Sequence, residues 1–206
     1  MHHADGLITQ IATYWNHSIH DLEMTEHPVG SLEFFDDLDD YRFDKLRYLP
    51  QVVDFTGYRG QHLLEVGCGV GTDLLRFAKG GACVTGVDLS TQAIELVKTN
   101  FALHEVPQKA SFQIQNGEAL SFEDNTFDVV YAHGVLQYTA DPERMIRECH
   151  RVLKPGGQAI FMVYNRFSWL QALSKVMGVG LEHADAPVLR LFSIRQFRHI
   201  LGRFPE

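Results

Sequence analysis

Glu65 to Gly71 read EVGCGVG, directly after the apolar pair Leu63-Leu64. A short buried strand runs here into a turn with glycine at every second position, and Thr72 then opens a helix. Glycine permits φ > 0 and lets a ligand approach the backbone with no Cβ between them. The first N–H groups of the helix face the same space and favour an anionic group there. Glu65 precedes the first glycine and would repel a phosphate. The dinucleotide fingerprint asks for Gly or Ala at its sixth position. Gly67 and Gly69 fit it, but Thr72 stands at that position. A nucleoside carrying an amino acid suits these residues better than a pyrophosphate. The loop amides meet its carboxylate, and Glu65 helps to hold its cationic end.

The segments that follow read as alternating helices and strands. Gly80-Gly81 end the first helix, and Cys83-Val84-Thr85-Gly86-Val87 form a second strand that stops at Asp88. This acid lies about 20 residues past the loop, where a doubly wound fold brings strand two beside strand one. A carboxylate at that tip accepts hydrogen bonds from both ribose hydroxyls. The alternative is a plain helix N-terminal acid, because Ser90 is a good N-cap. Phe112-Gln113-Ile114 is a short strand that ends near Asn116-Gly117-Glu118. Phe127 to Tyr131 is a fourth strand, which delivers Ala132-His133-Gly134 to the carboxyl edge of the sheet, the ligand side of such folds. Asp141 as N-cap and Pro142 at N1 open a helix. Met145, Ile146, Cys149, Val152 and Leu153 give it one apolar face. Lys154-Pro155-Gly156-Gly157 has the residues of a type II turn, and Ala159 to Tyr164 reads as a fifth strand.

Four segments in this order, EVGCGVG, GVDLS, NGEALSFEDNTFDVVYAHGVLQY and RVLKPGG, extend from about Leu63 to Tyr164. Together they resemble the class I S-adenosylmethionine-dependent methyltransferases, in the small-molecule group that includes the ubiquinone and menaquinone C-methyltransferases. The resemblance implies an α/β fold with a doubly wound, mostly parallel Rossmann-like sheet, flanking helices and an N-terminal helical cap. It divides the chain into a cap or lid (1–59), a cofactor-binding core (60–165) and a helical C-terminal segment (166–206). It implies S-adenosyl-L-methionine as cofactor, S-adenosyl-L-homocysteine as product, and in-line displacement of the methyl group onto a small-molecule acceptor. The cofactor-binding candidates are Glu65, Gly67, Cys68, Gly69, Gly71, Asp88, Leu89, Asn116, Gly117, Glu118, His133 and Arg42. Asn116 stands where the family usually has an acid beside the adenine amino group; its side-chain oxygen still accepts a hydrogen bond. Leu89 and Leu120 offer apolar surface to the adenine, or are ordinary core leucines. His133 binds through its backbone in such enzymes. Its imidazole, with His17 and His20, is a candidate general base. Arg42 pairs with the cofactor's carboxylate, as arginines placed before the core do in related enzymes, or with the nearby Asp36, Asp37, Asp39 or Asp40.

Outside the core, Leu7, Ile8, Ile11, Tyr14, Trp15 and Ile19 fall at helical spacing, and Ser31 caps a helix with Leu32, Phe35, Leu38 and Tyr41 on one side. Tyr14, Trp15, His17, His20 and His27 are candidate pocket residues; the alternative is core aromatics and solvated histidines. The group His17, His20, Asp21, Glu23, Glu26 and His27 matches no ligand spacing, so no metal is expected. After Tyr164, 169–177 and 193–201 read as helices, and two strands usual in the family are missing before the chain reaches Phe204-Pro205-Glu206. The apolar edge of strand five then needs cover from residues 166–206 or from a partner chain, such as a second copy in a homodimer.

The 206 residues are 45% hydrophobic with a formal net charge of -8. That supports one good core with a cap, and argues against a nucleic-acid partner. Cys68, Cys83 and Cys149 show no metal or disulfide pattern and read as reduced thiols of a cytoplasmic protein. No membrane span and no signal-peptide h-region are expected. Two rival classes are a nicotinamide-dependent oxidoreductase, which Thr72 and the LKPGG segment disfavour, and a protein that binds the cofactor without transferring its methyl group.

Overall fold

Short apolar runs bounded by glycine and polar residues set the centre of the molecule. The structure, a computed structural model, describes residues 2–18, 24–106, 109–168 and 183–202. Five strands, β1 His62–Val66, β2 Cys83–Asp88, β3 Ala110–Ile114, β4 Phe127–His133 and β5 Leu153–Met162, form one sheet in the order β3-β2-β1-β4-β5. Every pairing is parallel. The chain builds outward from β1 to β3, then returns to the other side of β1 with β4. The switch point therefore lies between β1 and β4, and it opens a crevice at their carboxyl ends.

Alternation along the strands sends neighbours to opposite faces. Leu63, Val84, Val129 and Tyr131 pack on one face with Leu74, Phe77 and Ala78 of α4 (Thr72–Lys79) and Ile94, Val97 and Phe101 of α5 (Thr91–Leu103). Leu64, Val66, Val87, Val130 and Ala132 pack on the other with Met145, Ile146, Cys149 and Val152 of α6 (Pro142–Val152). The sheet is covered on both sides, as parallel sheets require. The caps form where the sequence places them. Ser90 accepts from the Ala93 amide at 3.1 Å and Asp141 from the Arg144 amide at 3.0 Å.

Ahead of the sheet stand α1 (His2–His17), α2 (Leu32–Lys45) and the short α3 (Leu49–Val52). Ser31 caps α2 by accepting from the Phe34 amide. Phe34, Phe35 and Leu38 are its buried residues, and they pack with Val70. Leu32, expected on that apolar side, is exposed at the first position of the helix; Phe34 fills the core instead. A last helix, α7 (Ile194–Leu201), is capped by Ser193 and packs Phe197, Ile200 and Leu201 onto the α6 side of the sheet. Of the other expectations, Ile19, His20, Asp21, Glu23, the helix over 169–177 and Phe204 to Glu206 lie outside the described residues.

Strand five differs from its expected form. It starts earlier, at Leu153, and ends at Met162. Lys154 to Gly157 make an irregularity within it: Phe127 pairs with Leu153, and Val129 pairs with Gln158. Gly156 has the positive φ, +76°, that the expected turn needs. Beyond Met162, Phe192 bridges to the Tyr164–Arg166 stretch by hydrogen bonds of 3.0 and 2.9 Å. Among the described residues, no helix is long and apolar enough to cross a membrane.

Gly71 joins the loop to α4 at φ +83°, and a Cβ there would lie 2.4 Å from Val97 Cγ2. We expect Gly71→Ala to lower stability by about 1–3 kcal/mol, measured by urea unfolding. An unchanged midpoint would contradict this packing of α4 on α5.

Candidate functional site

The turn after β1 is held from beneath by β2. The amides of Gly67 and Cys68 donate to the Val87 carbonyl at 2.7 and 3.1 Å. Asp88, at the tip of β2, accepts from the Gly69 amide through Oδ2 and from the Ser90 amide through Oδ1, both at 2.9 Å. One carboxylate thus ties the glycine turn to the start of α5. Burial pushes the Asp88 carboxyl up, against the lowering effect of these amides. Gly69, at φ +52°, has nothing within 4 Å of where a Cβ would stand, whereas a Cβ on Gly67 would lie 2.4 Å from Val135 Cγ2. The turn therefore presents bare backbone on its open side and is packed tightly on its closed side.

That open side borders a cavity of about 730 Å³ at the carboxyl ends of β1, β2 and β4. Ligand pockets typically fall within 300–1,000 Å³. Eleven of the twelve cofactor candidates line it: Arg42, Glu65, Gly67, Cys68, Gly69, Asp88, Leu89, Asn116, Gly117, Glu118 and His133. Gly71 does not; its role is the packing against Val97 described above. Leu120 belongs to the core beside Leu64 and Val130 and is absent from the wall, which favours its packing reading. Asn116 Oδ1 accepts the Glu118 amide at 3.0 Å and so shapes its own turn. Glu118 is buried, and its Oε1 accepts from the Thr139 hydroxyl and, at 2.9 Å, from the Asp141 amide.

The centre of the wall is a charged network that the sequence did not reveal. Asp73, in the first turn of α4, is 2% exposed. It accepts two hydrogen bonds from Arg42, from Nε at 2.6 Å and from Nη2 at 2.5 Å, and one from the Tyr131 hydroxyl at 2.7 Å. Arg42 thus pairs with Asp73 rather than with Asp36, Asp37, Asp39 or Asp40, and α2 is anchored to α4 through a buried bidentate pair. Burial raises the Asp73 carboxyl, but the Arg42 charge and hydrogen bonds more than reverse this and hold it below its usual range. Burial, then Asp73, push the Tyr131 hydroxyl up. Glu65, 4% exposed, carries an Oε2 with no hydrogen-bond partner among the described residues. Burial, then Asp73, raise its carboxyl well above the usual range.

The histidine candidates separate. His133 is in the wall, with Nδ1 3.1 Å from Arg42 Nη2. A guanidinium only donates, so Nδ1 is an acceptor whose lone pair is already engaged. That opposes the base role considered for this ring. His17 is exposed, stands off the cavity wall, and its Nδ1 lies 2.8 Å from the Thr13 carbonyl of its own helix; burial of the opposite face of α1 turns it outward. His27 is exposed beside Asp37 and Tyr14 bonds Asp185, both off the wall, while Trp15 lines it. Asn16 was also missed: it accepts from the Ser90 hydroxyl at 2.9 Å and docks α1 beside the β2 tip. Among the described residues, no group of three His, Cys, Asp or Glu side chains is placed to hold a metal ion.

Residues 64–161 match the family model described as Methyltransferase domain. That stretch is similar to the class I S-adenosylmethionine-dependent methyltransferases, as its motifs imply. Its relatives include the ubiquinone biosynthesis O-methyltransferase of Coxiella burnetii, 35% identical over 59% of this chain and 50% of that protein. The corresponding enzyme of Alkalilimnicola ehrlichii is 31% identical over 72% of this chain and 62% of its own length. The chain thus spans about half to two thirds of these curated relatives. The fold matches magnesium protoporphyrin IX methyltransferase from Synechocystis with a TM-score of 0.67 at 19% identity, covering 95% of this chain and 87% of that one. It also matches the [4+2]-cyclase SpnF with a TM-score of 0.65 at 25% identity, covering 97% and 71%. The matched residues run from within β1 to within β5; Arg42, which lines the same cavity, lies ahead of them.

Removing Arg42 leaves the buried Asp73 charge unpaired. We expect Arg42→Ala to cost about 3–5 kcal/mol, whereas Arg47→Ala, which breaks an exposed pair with Asp44, costs about 1 kcal/mol or less. Chemical denaturation of both variants checks the contrast. Equal losses would contradict the buried role of the Arg42–Asp73 pair.

Proposed function

We propose that this protein binds S-adenosyl-L-methionine in the cavity and transfers its methyl group to a small-molecule acceptor, releasing S-adenosyl-L-homocysteine. The observation that carries this reading is the pairing, in one cavity, of bare turn backbone braced by Asp88 with the Oε2 of Glu65, which has no hydrogen-bond partner among the described residues. The first suits a ribose and an amino-acid carboxylate; the second suits the amino acid's ammonium. A buried carboxylate lacking a partner is costly alone and favourable once a cation meets it. The relatives named for ubiquinone biosynthesis support a small-molecule acceptor.

S-adenosylmethionine supplies an activated methyl group on a sulfonium, so the protein's contribution is alignment and exclusion of water. Asp88 holds the ribose and Leu89 borders the adenine, with Asn116 and Gly117 on the same wall. Gly67 to Gly69 and Glu65 receive the amino-acid end. Ile8, Ile11 and Trp15 of α1, with Leu46 and Tyr48, close the cavity from the N-terminal side, which supports residues 1–59 as a cap. With Tyr138, Met162 and Tyr164 they offer an apolar, aromatic surface to the acceptor. The net charge of -8 disfavours nucleic acid as acceptor, and three free thiols suit a reducing compartment such as the cytoplasm. A second reading, binding without transfer, is favoured by the engagement of His133 Nδ1 by Arg42 and by the same fold in a [4+2]-cyclase, SpnF.

S-adenosylhomocysteine is expected to raise the melting temperature, NADH to leave it unchanged, and Asp88→Arg to abolish the shift. Labelled S-adenosylmethionine incubated with phenols, quinols and amines then separates transfer from binding alone. Stabilisation by NADH instead would overturn the proposal.

Glu65 gives a second test. Its raised carboxyl binds a proton more tightly in the folded chain than in the unfolded one. Folding therefore loses stability as pH rises from the ordinary glutamate value towards the raised one. Glu65→Gln is expected to stabilise the unliganded protein at pH 7 by about 1–3 kcal/mol and to weaken S-adenosylhomocysteine binding about tenfold or more. Unfolding curves and calorimetric titration measure the two. Loss of stability with unchanged affinity would contradict the role given to Glu65.

A further inference from the structure

β3 ends the sheet: β2 lies on one side of it, and among the described residues no strand lies on the other. The ladder with β2 fixes which backbone groups face outward. The Lys109 carbonyl accepts from the Val84 amide at 2.9 Å, and the Gln115 amide donates to the Asp88 carbonyl at 2.9 Å. Bonding to one neighbour alternates along a parallel strand, so Lys109, Ser111, Gln113 and Gln115 direct their ladder groups to β2. The N–H and C=O groups of Ala110, Phe112 and Ile114 point away from the sheet. Charged side chains, a proline or a bulge usually protect such an edge. Ala110 to Gln115 read ASFQIQ, and their pairing with β2 is unbroken. Phe112 turns to the α5 face, its ring 4.8 Å from that of Phe101, so Ala110 and Ile114 share that face. Ile114 is 53% exposed, and Leu103, the last residue of α5, is 42% exposed. The connection from α5 to β3 is short, so Leu103 stands at the Ala110 end of the strand.

We propose that β3 is the seam of a homodimer, paired antiparallel with β3 of a second copy about a two-fold axis at Phe112. In that register Ala110 faces Ile114 of the second copy, Phe112 faces Phe112 of the second copy, and Ser111 faces Gln113 of the second copy. The outward N–H and C=O groups of Ala110, Phe112 and Ile114 then stand opposite the same groups of the other chain, and every donor meets an acceptor. Such a pairing is isologous and closes at two chains. Ile114 of each copy arrives beside Ala110 and the Leu103 end of the other, so the exposed apolar side chains cover one another. No like charges oppose this. Ala110 to Ile114 are uncharged, and Lys109, just before them, faces Gln115 of the second copy. A different chain would have to match this spacing by its own sequence, whereas a second copy matches it by symmetry. The seam lies at the edge opposite to β5, where the sequence led us to expect cover. It is separate from the cavity, whose wall takes Gln115 to Glu118 but none of Ala110 to Ile114. A seam of 5 residues a strand belongs to the small, weak class of interface, formed at micromolar concentrations.

Sedimentation velocity of the full chain between about 1 and 200 µM, with hydrogen exchange of assigned backbone amides at both ends of that range, tests the seam. A monomer that passes to a dimer and no further is expected. The amides of Ala110, Phe112 and Ile114 are expected to exchange about tenfold or more slowly in the dimer than in the monomer, while those of Ser111 and Gln113 are protected in both. Side chains at positions 111 and 113 stand closest across the seam, because facing pairs without backbone bonds approach most nearly. The double variant Ser111→Lys, Gln113→Lys sets like charges opposite one another there. It is expected to remain monomeric at the highest concentration and to keep the melting temperature of the dilute parent. The variant Ser111→Lys, Gln113→Glu sets opposite charges in the same places and is expected to dimerise. A monomer throughout, oligomers beyond the dimer, a dimer whose Ala110, Phe112 and Ile114 amides still exchange quickly, or dimerisation of the double-lysine variant at parental strength overturns the proposal. Should that variant not fold, Ile114→Pro replaces it: this removes one outward N–H at the edge and leaves the bonds to β2 in place. Its dimerisation at parental strength would be equally decisive against the seam.

Discussion

Asp88 is the constraint on which the cavity depends. Its two oxygens hold the Gly69 amide and the Ser90 amide, so the turn after β1 and the first turn of α5 are positioned by one side chain. The parallel pairing of β1 with β2, from His62↔Cys83 to Val66↔Val87, brings that carboxylate to the turn. A slip of one residue would turn every side chain of β2 to the other face. The carboxylate would then leave the cavity, and Val84 and Val87 would leave their packing. Core packing and ligand geometry are the same arrangement seen from two sides of the sheet.

A second constraint comes from outside the matched domain. Arg42 crosses from α2 to Asp73, which accepts from both Arg42 and Tyr131. A buried charge is tolerable only when paired and hydrogen-bonded. Asp73 meets that condition through Arg42, so the helices before β1 are bound to the sheet by an electrostatic requirement as well as by the packing of Phe34, Phe35 and Leu38 against Val70. Asn16 adds a contact further along, at the Ser90 hydroxyl. The helices that roof the cavity are thus attached at two points on its rim.

Most of the fold was legible because local rules decide it. The alternating apolar runs, the caps at Ser31, Ser90 and Asp141, and the glycine turn each follow from neighbouring residues, and the structure has them at those positions. Strand five was misjudged in extent because its Lys-Pro-Gly-Gly stretch has the residues of a turn and yet lies within a strand as an irregularity. The lining of the cavity was largely legible for the same local reason: the candidates sit at strand ends. Asp73 was not. It follows Thr72 as an ordinary N-terminal helix acid, and its significance comes from Arg42, 31 residues away. The contact of His133 with Arg42 across 91 residues is likewise invisible to spacing. Long-range polar pairs leave no periodic trace, whereas apolar faces do.

A crystal structure with S-adenosylhomocysteine bound tests the central claim most directly. The ribose hydroxyls are expected within hydrogen-bonding distance of Asp88, the adenine beside Leu89 and Gly117, and the ammonium group at Glu65. Density for the molecule outside this cavity, or in it with the ribose turned away from Asp88, would contradict the account.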